Sequence, residues 1–170
     1  INIMLKKIAL LVIVFALPLG AMAQKFAHMN SQEVIALMPE YTKAQADLEA
    51  MSKQYQEEMQ RSQAEFNKKI QEFQAQVDSL PKNIAERRQK ELQDMDQRQQ
   101  EFQQEAYQNM QKAQQDALIP IYKKLDEAIQ AVGKAEGAIY IFDLARTSIP
   151  YVSATSVDVT AKVKAQLGIK

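Results

Sequence analysis

Apolar residues recur along this chain at steps of three and four, in two long runs of nearly equal length that meet at "VDSLPKN", residues 77–83. The first run is Val34, Met38, Tyr41, Ala44, Leu48, Met51, Tyr55, Met59, Ser62, Phe66, Ile70, Phe73, Val77 and Leu80. The second is Ile84, Arg88, Leu92, Met95, Gln99, Phe102, Ala106, Met110, Ala113, Ala117, Ile121, Leu125, Ala128 and Val132. The mean step of about 3.5 is the coiled-coil period, shorter than the 3.6 of a straight amphipathic helix. Ser62, Arg88 and Gln99 are polar intrusions in an otherwise apolar seam.

The junction explains the symmetry. Asp78 and Ser79 offer local side-chain bonds to the backbone, and Pro81 cannot continue the helix before it. Ser79 or Asn83 is expected to cap the returning helix. Two helices joined by so short a turn run antiparallel. Pairing about the turn then matches residues whose numbers add to about 161: Phe66 with Met95, Met59 with Phe102, Leu48 with Ala113. At about 1.5 Å per residue, arms of roughly 45 residues would project about 60–70 Å.

Composition fits this reading. Four Gly and five Pro are few turn-makers for 170 residues. Gln is concentrated between positions 45 and 116, as in long helices and coiled coils.

The start, "INIMLKKIALLVIVFALPLGAMA", reads as a secretory signal over residues 1–23. Lys6 and Lys7 precede an apolar run from Ile8 to Leu17, and Ala21-Met22-Ala23 is a small-residue cleavage pattern. Met4 is an alternative initiator to Ile1. The run is too short to span about 30 Å of hydrocarbon. Removing Lys6 and Lys7 leaves 19 basic against 21 acidic side chains, which offers no case for nucleic acid. Cysteine is absent, so disulfides and a lipidated N-terminal Cys are excluded. A periplasmic location is expected.

The ends differ in kind from the arms. Residues 24–30 read as a short strand, Ser31 as the N-cap of a short helix, and Pro39 as the first turn of a longer one. Ala138 to Leu144 reads as a buried strand, Arg146 to Ile149 as a turn, and Pro150 to Ala154 as an edge strand. Asp158 is expected to cap a last helix that ends at Gly168. Pro120 should kink the returning arm or mark its junction with the base. The fold class is therefore mainly α with a small β base: a long antiparallel coiled-coil hairpin (39–117, tip 78–83) carried by a discontinuous base (24–38 and 118–170). So thin a core points to oligomerisation through the base.

Chemistry is sparse. His28 is the single histidine and reads as structural or surface. There is no G-x-x-x-x-G-K-[ST] loop, so ATP-driven work has no support. Pairs such as Glu57-Glu58 fall on solvated helical faces. No catalytic, cofactor or metal constellation is found, and the chain is not expected to be an enzyme. Shape and surface must carry its function. One reading without further identification is a structural or adaptor coiled coil of the cell envelope.

Three stretches together resemble the Skp/OmpH family of periplasmic chaperones. They are "KFAHMNSQEVIALMPEYTKAQADLE", the Gln-rich hairpin, and "YKKLDEAIQAVGKAEGAIYIFDLARTSIPYVSATSVDVTAKVKAQL". The ending carries most weight, with its "IFD" strand and the "D-[IV]-T" helix start at Asp158, Val159 and Thr160. The resemblance implies a jellyfish-like homotrimer. Base strands from three subunits would form a small barrel, with three arms around a cavity. It implies an ATP-independent holdase that keeps unfolded outer-membrane proteins from aggregating. Leu80, Tyr107, Ile119 and Tyr122 are the candidate client-binding residues, lying off the seam or at the tip. Phe26, Ile139, Ile141, Phe142 and Tyr151 are the candidate trimer-base residues. The tips are a place for transient contact with a membrane surface. Well-known members are strongly basic, whereas residues 61–98 here hold eight basic and seven acidic side chains, which weakens the electrostatic side of that expectation.

Overall fold

The computed structural model describes residues 25–169. The signal sequence, its cleavage pattern and both proposed initiators lie outside the described residues. The elements in order are β1 (Phe26–Met29), α1 (Ser31–Ile35), α2 (Pro39–Gln76), a 3-10 turn (Val77–Ser79), α3 (Lys82–Glu136), β2 (Tyr140–Asp143), β3 (Val157–Asp158) and α4 (Thr160–Gln166). The chain forms two compact units, one running from Ile35 to Leu125 and the other ending at Val34 and resuming at Asp126. The sequence reading placed these divisions at 38/39 and 117/118.

In the Ile35–Leu125 unit, α2 and α3 are antiparallel. Every seam position named from the sequence within this unit is buried or half-buried except Arg88. Ser62 and Gln99, two of the polar intrusions, meet in register at 3.1 Å. Tyr55 sets its ring edge-on to Phe102 with centroids 5.7 Å apart and accepts a bond from Asn109. Ion pairs Lys69–Glu91 and Lys124–Glu40 bridge the two helices. The remaining arm pairs, such as Lys43–Asp47, Lys112–Asp116 and Arg61–Glu58, are exposed i,i+4 or i,i+3 contacts. Such pairs stabilise a helix by only about 0.3–0.5 kcal/mol each. Packing along the seam therefore holds the hairpin.

The turn is made differently from expectation. Ser79 Oγ bonds back to the Gln76 carbonyl at 2.8 Å, so it closes the outgoing helix rather than capping the return. Leu80 is extended, and the Pro81 carbonyl accepts from both Ile84 and Ala85 to start α3. Pro81 suits that place because its own missing N–H would have had no helical partner. Pro120 lies inside α3, which continues through it to Glu136.

The other unit is built on a parallel sheet in the order β2-β1-β3. Ala27 and Met29 point inward and are fully buried, as are Val34, Val159 and Val163. Ala128 and Val132, on the last turns of α3, are also buried. Two glycines end helices in the left-handed region. Gly137 (φ 63°) closes α3 and Gly168 (φ 72°) closes α4, each followed by a residue whose N–H reaches back five positions. Gly133 allows α3 to approach β2, since a Cβ there would stand 3.2 Å from Ile141.

Three local expectations are corrected here. Asn30, not Ser31, supplies the cap of α1: its Oδ1 accepts from Gln32 and Glu33. Ser31 is buried, and its own N–H donates to Asp143 Oδ1. Residues 150–154 form no strand. Ser153 Oγ bonds Thr155 through both hydroxyl and N–H, and the Ser153 carbonyl accepts from Ser156. These local bonds compete with a ladder, and Pro150 has no N–H to give one. The free edge of β1 is taken by Val157–Asp158 instead. Finally, β2 is not buried on both faces: Tyr140 and Phe142 stand open to solvent.

Candidate functional site

Alternation along the strands sorts the base into two faces. Phe26 and His28 of β1 point opposite to Ala27 and Met29, and the register aligns Phe26 with Tyr140 and His28 with Phe142. Three rings thus gather on the outer face. Phe26 lies 6.3 Å from Tyr140 and 6.4 Å from Phe142 between centroids, and Tyr140 lies 6.0 Å from Phe142. They remain 41%, 60% and 42% exposed for Phe26, Tyr140 and Phe142 respectively. Exposed aromatic clusters of this kind mark interaction surfaces more than isolated apolar residues do.

Beside the rings lies an open cavity of about 800 Å³. Phe26, Phe142, Leu144, Ile149, Tyr151 and Val152 give it apolar walls, and His28, Ser153, Thr155 and Ser156 give it a polar side. His28 Nδ1 and Ser156 Oγ are 2.8 Å apart. The segment expected to be a strand therefore forms one wall.

Four of the five candidate base residues share exposure. Phe26, Phe142 and Tyr151 line the cavity, and Ile139 is exposed just before β2. Ile141 points the other way, against Gly133 of α3, as strand alternation requires. Tyr140, Leu144, Ile149 and Val152 were missed. The "IYIFD" run is apolar at almost every position, so it carries no polar alternation to mark which face meets water.

Charges fix the frame around this face. Glu136 at the end of α3 binds Lys162 and Lys25, each at 2.6 Å, joining the start of β1 and α4 to one carboxylate. Lys162 first, and Lys25 next, push its pKa down to about 2. Asp158 accepts from the Thr160 hydroxyl and N–H. Those two bonds, with smaller attractions from His28 and Lys164, hold its carboxyl below the usual range. Asp158 is not the cap the sequence suggested: Val159 takes that position without a side-chain bond, and Asp158 holds the first N–H of α4 from within β3.

The candidate client-binding residues lie in the other unit. Tyr107 and Ile119 are 65% and 64% exposed on α3, Tyr122 is at the margin of exposure, and Leu80 at the tip is half-buried. Gln111 donates to the Tyr107 hydroxyl at 2.7 Å. Among the described residues, no group of three His, Asp or Glu side chains gathers as a metal site, and no helix is long and apolar enough to cross a membrane.

The family model described as "Outer membrane protein (OmpH-like)" matches residues 25–167. Among solved structures, the fold is similar to that of a candidate OmpH-like outer membrane chaperone from Caulobacter crescentus, with a TM-score of 0.73. That match covers 84% of this chain and 82% of the other at 18% identity, a level at which the likeness is one of fold. No curated protein matches the sequence.

Proposed function

The chain belongs to the OmpH-like outer membrane protein family, and on that premise we propose that it is an ATP-independent periplasmic holdase for unfolded outer-membrane proteins. The observation that carries this reading is the pair of large apolar side chains, Tyr107 and Ile119, left open on α3 off the seam of the hairpin. Side chains held in water on a stable helix are available to an unfolded client. Tyr122 and Leu80 extend that set. Each contact is weak, and many contacts around one client add through effective concentration. Release then needs no nucleotide, because folding of the client elsewhere withdraws the bound state.

We further propose that the working form is a homotrimer assembled through the open face of the base, with the arms of the three copies around the client. The exposed Phe26, Tyr140 and Phe142 cluster supports this, as does the size of the sheet, whose strands have four, four and two residues. So small a sheet with one open aromatic face gains stability from a partner. Export as a precursor, with cleavage after Ala23, belongs to the same reading.

The test is dilution of an unfolded outer-membrane β-barrel from denaturant into buffer with the purified chain and no ATP. Suppressed turbidity at near-stoichiometric ratio is the expected result, weakened when Tyr107, Ile119 and Tyr122 are changed together to Ser. Aggregation unaffected by the chain would overturn the holdase reading. Recovery of one folded partner in pull-downs, rather than many barrel precursors, would favour an envelope adaptor instead. A monomer by light scattering at micromolar concentration would sink the trimer.

A further inference from the structure

The open face of the base carries the chain's only histidine. Strand alternation turns His28 outward with Phe26, and the register places it between Phe142 of β2 and Asp158 of β3. Its ring lines the cavity walled by Phe26, Phe142, Leu144 and Tyr151. We infer that self-association through this face is pH-dependent, with protonation of His28 opposing it. The inference rests on the proposed use of the face for assembly by further copies of this chain.

Imidazole is the side chain whose ordinary charge change falls between about pH 5 and 8. When neutral, His28 shares one hydrogen bond with Ser156 Oγ at 2.8 Å and presents the rest of its ring to the apolar cavity. When protonated, both ring nitrogens are donors. Ser156 accepts from one. The other is served by water while the face is open. Aromatic side chains of a second copy would displace that water, and burial without a compensating acceptor disfavours the charged form.

The neighbouring charges decide the sign. From β3, Asp158 favours the imidazolium, but its Oδ1 is already engaged by the Thr160 hydroxyl and N–H. Lys164 of α4 lies within electrostatic reach of the same carboxylate. Just before β1, Lys25 lines the cavity with a like charge, tied to Glu136. From β2, Phe142 offers no charge. The segment before β3 contributes the hydroxyls of Tyr151, Ser153, Thr155 and Ser156. One partly committed carboxylate faces one like charge and an apolar wall, so acid favours the separated chains.

The experiment measures mass by light scattering or sedimentation at micromolar concentration, at pH 8 and pH 5.5, for the wild-type chain and for His28→Gln and His28→Asn. Both amides keep a donor toward Ser156 without a titrating charge. Circular dichroism at both pH values separates loss of association from loss of fold. The expected result is association several-fold weaker at pH 5.5 than at pH 8 for the wild type. The amide variants should associate alike at both pH values. An oligomer indifferent to pH, or an amide variant that keeps the wild-type pH dependence, overturns the inference alone. A chain monomeric at both pH values overturns the assembly reading, and this inference with it.

Discussion

In the arm, burial is partial and repeated: from Tyr41 to Val77, no side chain of the α2 seam is fully covered. In the base, burial is deep and brief: Ala27, Met29, Val34, Val159 and Val163 are sealed within a few residues of one another in space or sequence. Along α2 the arm spreads its burial over many half-covered layers, while Met38, Ile121 and Leu125 are the fully covered side chains of that unit. The base concentrates its burial in a few side chains and leaves a neighbouring face of the same strands open. The lesson is that the region with the best-packed interior is also the one with the most exposed aromatic surface, since strands of four residues cannot bury both sides.

The sharpest way to break this comparison is a matched pair of truncations. Met29→Ala in the base should cost about 2–5 kcal/mol, the range for fully buried Met or Leu. Leu48→Ala in the half-buried seam should cost about half of that or less. Chemical denaturation read by region-specific hydrogen exchange measures both, and equal costs would erase the distinction.

Next in size is the polar layer of the arm. Replacing Ser62 and Gln99 together by Leu should stabilise the hairpin by about 1 kcal/mol, because a polar pair in a coiled-coil seam fixes register at a cost in stability. A thermal melt checks the gain, and a destabilised double variant would show that the 3.1 Å bond does more than set register.

A third test uses acid. The folded base holds Glu136 at about 2, below its ordinary 4.5. A depressed carboxyl stabilises the fold above its unfolded value, and that contribution is lost as pH falls from about 4.5 through about 2. Glu136→Gln should therefore remove part of the base's acid sensitivity in that window and leave the protection of α2 unchanged. Hydrogen exchange at pH 5 and pH 3 reads the two regions separately.

The smallest effect is expected at the tip. Doubling the turn around 78–83 with Gly and Ser should cost only about 0.6 kcal/mol in loop closure, and should leave the oligomeric mass as it is without the insertion. A change of mass would tie assembly to the arm.

How far the sequence could be read follows the same division. The seam is a local signal, since each residue's burial depends on neighbours three and four away, and apart from Arg88 its positions are covered as the period requires. Polar residues at Ser62 and Gln99 broke the pattern yet marked the register. The base depended on partners far along the chain. Whether residues 150–154 or 157–158 would join β1 was decided by hydroxyl bonds between Ser153 and Thr155 and by the edge left free in space. Capping was legible as a residue type and not as a choice among neighbours, with Asn30 taking the place offered to Ser31. The open face was legible in part: Phe26, Phe142 and Tyr151 were named for the base, whereas Tyr140 escaped because an apolar residue in a strand ordinarily signals a core.

The parallel sheet also sets an order of events during folding. β1 stands near the start of the described chain, and its partners begin at Tyr140 and Val157. The Lys25–Glu136 and His28–Ser156 contacts span 111 and 128 positions. The hairpin closes about a short turn and is rich in local contacts, which favours early formation, whereas distant pairings are slow to find. As a chain emerges from its N-terminus, β1 has no strand partner until Tyr140–Asp143 has been made, and gains its second only with Val157–Asp158. A truncation before Val157 would thus deprive β1 of one neighbouring strand while the helical hairpin keeps every residue it needs.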